Sequence, residues 1–365
     1  MTTLQAAVAV KPRKMEVREF ALPDISADAG LLRISATGIC GSDWGMYLSE
    51  KPGPRILGHE MIGVVEKLGP LAQARWGVSE GDVVALEEYL PCGHCEYCRT
   101  GEYRSCLETD RQVAGSIRYG STPLTVSPAL WGGYSQYLYM HPRTVLHRVP
   151  AGVKPHIAAM ALPIGNGFQW AFLDGGVGPG KTIVIQGPGQ QGLGCVIAAK
   201  SAGAATIIVS GLARDERRLA VAKELGAHHC VIVDQEDLGA AVKRITDGRM
   251  ADIVIDASGG GAAIVNPALT LLRKHGKLLI AARKGAIPSF DLNQVVNKQI
   301  ILRGMRGHSF QAVELALQTM AAGNFPLEKM SSHVVGLKDI DHALKMVGGE
   351  SQERSVHVTV DPWKN

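Results

Sequence analysis

The chain has no run of about twenty apolar residues, so nothing in it reads as a membrane span. It has no run of basic residues and no patch in which basic and aromatic residues interleave, which leaves nucleic acid without a footprint. Its first residues, MTTLQAAVAV, lack the charged, apolar and small-residue parts of a secretory leader. The cytoplasm is therefore the expected compartment, and disulfides are not expected there. Cysteine is scarce, at seven residues, yet four of the seven stand inside residues 91–106. Glycine is plentiful, at 43, and falls at turns where backbone must approach something closely. The rest is ordinary: 365 residues, 46% hydrophobic, 20% charged and a net charge of +4 describe a globular protein of about two or three domains.

The crowded stretch reads PCGHCEYCRTGEYRSC and holds Cys92, Cys95, Cys98 and Cys106. Two-residue gaps let neighbouring thiolates converge on one ion, and four thiolates close a tetrahedral zinc shell with no position left for substrate. The alternatives are a disulfide pair, an iron–sulfur cluster or unrelated thiols. The common bacterial iron–sulfur spacing ends with a three-residue gap and a proline, which this stretch lacks. A structural zinc lobe is the expectation.

Before the lobe, short apolar runs alternate with turn signals, as in LQAAVAV before KP and LLRISA before TGIC, the pattern of a small β-rich domain. The segment GICGSD then places Cys40, Ser42 and Asp43 at a strand exit, and ILGHEMIGVVEKLG follows with His59 and Glu60. A lone cysteine is most often a buried apolar residue and a lone histidine a surface or satisfied core residue. A cysteine, a histidine and a carboxylate separated by one loop are also the mixed donors that catalytic zinc uses.

Further on, TIVIQ is a short apolar β-run, and Gly187, Gly189 and Gly192 form G-x-G-x-x-G around Gln190 and Gln191, followed by the helical pattern LGCVIAAKSAG. A glycine motif that follows a strand and opens a helix is the context of dinucleotide binding: the glycines allow the tight turn and bring backbone N–H groups and the helix N-terminus against a pyrophosphate. The end of the next strand carries Ser210 and Gly211 in place of an acid, and the loop after it carries Arg214, Arg217 and Arg218. A missing carboxylate with arginines nearby favours a ribose 2′-phosphate, hence NADP over NAD; Asp215 or Glu216 serving NAD is the alternative. ELGA before HHCVIVD, then ADIVIDASGGG and GKLLIAA, continue strand and helix in alternation and imply a parallel sheet covered on both faces.

GICGSD, GHEMIGVVEKLG, WGVSEGDVV, the lobe, WGGYSQYL and the glycine motif occur in the order of the zinc-containing medium-chain dehydrogenases, and the chain resembles that family from about residue 5 to about 360. The resemblance implies an α/β protein: a GroES-like β-rich catalytic domain over 1–155 and 303–365, a Rossmann doubly wound domain over 156–302, and a homodimer or homotetramer. By position, Cys40 and His59 match catalytic zinc ligands, Glu60 the acid that can enter the metal shell, Ser42 the hydroxyl that relays the substrate proton, and Asp43 the carboxylate that orients the ligating histidine. Ser258, within Ala257–Gly259, matches the nicotinamide side, and Arg303 or Arg306 either meets a cofactor phosphate or makes a structural salt bridge.

Two departures stand out. Gly45 occupies the place of the histidine that ends the relay in many zinc alcohol dehydrogenases. No cysteine, histidine or acid lies in 160–172, so that Asn166 or Leu162 falls where a third ligand is expected. Trp44, Tyr47, Tyr119 and Trp131 are expected either to wall the substrate site or to pin a loop. The function implied is interconversion of an alcohol and an aldehyde or ketone by hydride transfer with NAD(P). The readings kept beside it are an NADPH-dependent reductase of a C=C or C=N bond without catalytic zinc, and a non-catalytic NADP(H)-binding or redox-sensing protein.

Overall fold

A computed structural model describes residues 3–50, 53–287 and 289–364. The chain forms two compact units, one of Met1–Leu162, Leu317–Ala322 and Ser331–Asn365, the other of Pro163–Ala316 and Gly323–Met330. In chain order the strands are β1 (Thr3–Lys11), β2 (Lys14–Ala21), β3 (Gly30–Gly38), β4 (Arg55–Ile56), β5 (Glu60–Leu68), β6 (Val83–Leu86), β7 (Tyr137–Met140) and β8 (Leu146–Arg148). There follow β9 (Thr182–Gln186), β10 (Thr206–Gly211), β11 (His229–Ile232), β12 (Ala251–Asp256), β13 (Leu272–Ile280), β14 (Ile301–Gly304), β15 (Ser331–Val335) and β16 (His357–Val360).

The first unit is β-rich. One sheet runs β2-β1-β4, and a larger one runs β15-β16-β3-β5-β6-β8, with β7 also pairing β3. Leu32 and Ile34 of β3, Met61 and Val65 of β5, Val84 and Leu86 of β6, and Leu138 and Met140 of β7 share one buried cluster. Each such side chain contributes about 1.5–3 kcal/mol by leaving water. The β3–β5 register sets Gly38 opposite Glu60. A Cβ at Gly38 would stand 2.3 Å from Glu60 Oε2 and 2.8 Å from His357 Nε2, so only glycine fits between those two side chains.

The second unit is a six-stranded parallel sheet in the order β11-β10-β9-β12-β13-β14. Ile183–Ile185, Ile207–Val209 and Ile253–Ile255 are buried without alternation, as strands covered on both faces must be. The order doubles back at β9: β10 lies on one side of it and β12 on the other. That is the switch point where open α/β sheets bind ligands, beyond the carboxyl ends of the strands.

The seams between the units differ from those expected. The first unit continues to Leu162, and the expected 302/303 seam falls inside β14, which is paired with β13 from Lys277↔Ile301 to Ile280↔Gly304. A hydrogen-bonded ladder holds those residues in the parallel sheet, and the second unit runs on to Ala316. β14 is an edge strand; its Ile301 and Leu302 are exposed, as are Leu292 and Val296 of the helix Leu292–Lys298. Among the described residues no helix is long and apolar enough to cross a membrane.

Candidate functional site

The Sγ atoms of Cys92, Cys95, Cys98 and Cys106 all lie within 4.8 Å of one another, with Cys95 to Cys98 at 3.5 Å and Cys92 to Cys98 at 3.9 Å. These are distances for sharing one ion and too long for disulfides. Backbone N–H groups of Cys95 and Cys92 point at the Cys92 and Cys106 sulfurs, at 3.4 and 3.3 Å. Burial raises the Cys106 thiol, but hydrogen bonds from Thr109 and from the backbone of Cys92 and Glu108 outweigh it and bring it down to about 6. Burial raises Cys98, and the Cys95 and Cys106 thiols add to that. Four thiolates at this spacing need a cation to be ionised together, so the donor set fits a closed zinc site. The lobe is tied to the sheet by Tyr103, whose hydroxyl donates to Glu87 Oε1 at 2.5 Å, and the same oxygen accepts from His147 Nε2 at 2.9 Å.

Cys40, His59 and Glu60 also present one ligand atom each within 4.8 Å of one another. Cys40 caps the helix Gly41–Tyr47 just after β3, and Glu60 opens β5, so the β3–β5 ladder delivers both. Asp43 is 1% exposed and organises the group. Its Oδ2 accepts from the Cys40 N–H at 2.9 Å; its Oδ1 accepts from the Gly58 N–H at 3.3 Å and from His59 Nδ1–H at 3.2 Å. In the neutral ring that bond would leave the lone pair on His59 Nε2, the nitrogen that faces Ser42 and that a metal would take in place of a proton. Burial opposes the imidazolium form, yet the Asp43 charge and hydrogen bond, helped by Cys40, carry His59 well above its ordinary pKa. A thiol, an oriented imidazole and a buried carboxylate fit zinc with a fourth position open. Ser42 Oγ lies 3.4 Å from His59 Nε2, at the exposed rim of the group.

The segment 160–172, where the resemblance would put a third ligand, holds no cysteine, histidine or acid. Leu162 has no donor atom. The Asn166 amide is committed: its Nδ2–H donates to Gln191 Oε1 at 3.0 Å, and its Oδ1 accepts from His308 Nδ1 at 2.9 Å. Glu60 is the third donor that lies within 4.8 Å of the Cys40 and His59 ligand atoms. Of the two readings of the aromatic residues, wall or loop pin, burial favours the second. Tyr47, Tyr119 and Trp131 are at most 2% exposed. The Tyr47 hydroxyl donates to Asp341 at 2.6 Å, Trp131 Nε1 donates to the Val126 carbonyl at 2.9 Å, and Trp44 packs on Gly348. Tyr47, Tyr119 and Trp131 are core residues, and Trp44 is partly buried against the same core as Tyr47. Gly45 is exposed and faces open space.

At the sheet of the second unit, Gly187 follows β9 with φ +98°, and Gly189 caps the helix Gln190–Ser201. A Cβ at Gly192 would stand 1.9 Å from the Gly187 carbonyl oxygen, so the turn closes only with glycine there. The helix N-terminus then faces the switch point. Ser210 is buried, and its carbonyl accepts from the Gly187 N–H at 2.9 Å; Gly211 ends β10 against Pro188. Arg214 and Arg217 are exposed beyond it. Asp215 turns inward, its Oδ2 accepting from the Leu212 N–H at 3.2 Å and its Oδ1 from Arg218 at 3.4 Å. Ser258 packs on Gly187, with its Cα 2.9 Å from where a Cβ would be. Arg303 pairs with Asp174 at 2.8 Å, so the structural alternative holds for it, while Arg306 is exposed after β14.

Three residues at these sites escaped the sequence reading. His357 of β16 is buried with Nε2 3.7 Å from Glu60 Oε2, and its only signal is a histidine in the apolar run SVHVTV. His308 meets Asn166 across 142 residues of chain. Lys284 forms a buried pair with Asp256.

The chain matches the alcohol dehydrogenase GroES-like domain over residues 26–151 and the zinc-binding dehydrogenase domain over residues 192–322. It is 36% identical over 353 residues to a protein of Mycobacterium tuberculosis described as a probable alcohol dehydrogenase, covering 95% of each chain. It is 33% identical to the sorbitol dehydrogenase of Bacillus subtilis, over 76% of this chain and 74% of that one. Among solved structures, an alcohol dehydrogenase from Thermotoga maritima superposes with a TM-score of 0.85 at 26% identity, covering 99% of this chain and 100% of that one. With both domain types matched in order and a full-length relative at that identity, the chain belongs to the zinc-type medium-chain dehydrogenase/reductase family and is an alcohol dehydrogenase-type enzyme built from a GroES-like and a Rossmann domain.

Proposed function

We propose that the protein interconverts an alcohol and an aldehyde or ketone with a nicotinamide dinucleotide, using zinc held by Cys40, His59 and Glu60, while Cys92, Cys95, Cys98 and Cys106 hold a second, structural zinc. The observation that carries this reading is the convergence of three unlike donors on one point with Asp43 fixing the histidine tautomer behind them. When bound, zinc supplies the positive charge that lowers an alcohol's pKa, and the nicotinamide exchanges the hydride.

The chain's own residues supply the rest. Asp43 keeps His59 Nδ1 protonated and Nε2 turned toward the other donors. Ser42, 3.4 Å from that nitrogen, takes the hydroxyl proton of the substrate and passes it to water, since Gly45 offers no side chain for a longer relay. The second unit holds the dinucleotide pyrophosphate at Gly187–Gly192 and the head of the helix. NADP is the proposed preference: β10 ends without a carboxylate, Asp215 is engaged with Leu212 and Arg218, and Arg214 and Arg217 are exposed in the segment that follows, where arginine favours a 2′-phosphate. The exposed Ile301 and Leu302 on the unpaired edge β14 support self-association, because an apolar strand edge invites a second strand.

Metal analysis with kinetics tests the reading. Two zinc ions per chain and oxidation of simple alcohols or polyols are expected, with a lower KM for NADP than for NAD. One zinc per chain with full turnover would remove the metal from the reaction, and a lower KM for NAD would reverse the cofactor assignment.

A further inference from the structure

Lysine is almost never fully buried unless paired, and Lys284 is one of the buried ones. Its side chain is 5% exposed and that of Asp256 1%, with Lys284 Nζ 2.6 Å from Asp256 Oδ2. Taking two charges out of water is costly, so such a pair is weak evidence for stability and calls for another reason. Its place in the fold supplies one. Asp256 is the last residue of β12, the strand next to β9 on the side of the switch point away from β10. In a sheet of this order the adenosine half of a dinucleotide lies over the β10 side, where Ser210 and Gly211 end the strand. The nicotinamide half lies over the β12 side.

The pair also holds the loop that follows. Asp256 Oδ1 accepts from the Ser258 N–H at 3.0 Å and from Ser258 Oγ–H at 2.9 Å. Lys284 Nζ donates to the Ser258 carbonyl at 2.8 Å. Ser258 in turn packs on Gly187, the first glycine of the turn, and the Ala281 N–H donates to the Asp256 carbonyl at 2.9 Å. One ammonium group thus joins the loop after β12, the segment after β13 and, through Ser258, the glycine turn.

We propose that Lys284, clasped to Asp256, is a positioning residue for the nicotinamide half of the dinucleotide: it fixes the Ser258 loop as the floor on which that half rests. This rests on the reading that the second unit binds a nicotinamide dinucleotide. The two ideas separate when binding is measured by fluorescence and calorimetry with NADPH, NADH and the nicotinamide-free fragments ADP-ribose and 2′-phospho-ADP-ribose.

If the wild-type protein binds neither the reduced dinucleotides nor the fragments, the underlying reading fails. If it binds both, the variants decide on Lys284. K284M is expected to weaken the preferred reduced dinucleotide about tenfold, the equivalent of about 1.4 kcal/mol, while its fragment keeps wild-type affinity within about twofold. K284R, which retains a charged donor, is expected to recover most of the loss. Equal weakening of dinucleotide and fragment, or no weakening of either, overturns the proposal. The double variant D256N/K284M, which leaves no single buried charge, is judged by the same criteria if K284M does not fold. Failure of both to fold would make the pair purely structural and would also overturn it.

Discussion

In the lobe, four sulfurs lie between Cys92 and Cys106, spaced so that short local turns bring them together. At the second donor set Cys40 comes from the end of one strand and His59 and Glu60 from the start of another. The lobe offers one kind of donor, four thiols that would close a zinc shell. The second set mixes sulfur, nitrogen and oxygen, would leave a fourth position open on a zinc ion, and has a buried carboxylate, Asp43, behind its histidine. A closed set serves stability and an open, oriented set serves chemistry, and each difference can be tested.

The largest effect is expected at Cys40. Cys40→Ser should reduce turnover by about three orders of magnitude, since a lost metal charge costs several kcal/mol of barrier at about 1.4 kcal/mol per tenfold. Metal analysis should show one zinc fewer and calorimetry little change in Tm. Normal turnover in this variant would erase the distinction between the two sets. Next is Asp43→Asn, which should weaken the open set alone by about 10–100-fold in zinc affinity, measured by competition with a chelator. Cys98→Ser should act the other way round, lowering Tm by about 5 °C or more while turnover per folded molecule stays within about twofold. A loss of turnover as large as that of Cys40→Ser would show the lobe to be more than a brace. The smallest effect is expected at Asn166. Asn166→Ala removes hydrogen bonds worth about 1 kcal/mol each, so dinucleotide binding should weaken several-fold with zinc content unchanged. Loss of a zinc ion would return Asn166 to the ligand set.

Much of this was legible before the fold was known. TIVIQ followed by GPGQQG and a helical run is a strand, a glycine turn and a helix, and each is set by neighbours in sequence. The lobe is equally local. Reading failed where partners are distant. The role of Asn166 is not legible nearby, because His308 and Gln191, which take up its amide, are far along the chain. Tyr119 and Trp131 leave wall and loop pin open in the sequence, because an aromatic residue beside a proline reads the same on either side of a loop; burial puts both in the core. The seam at 302/303 was misplaced because β14 is four residues long and largely exposed, so its apolar signal is slight.

From the order of residues alone follow the thiolate cluster, the phosphate-binding turn and the alternation of strands and helices, since each depends on contacts a few residues apart. Side-chain neighbours brought from far along the chain are another matter. That Glu60 reaches Cys40 and His59 depends on the register of β3 against β5 and on the space left by Gly38. That Asp256 finds Lys284 depends on parallel strands ending side by side. Such pairings are set by packing over the whole sheet, where a shift of one residue turns every side chain to the opposite face.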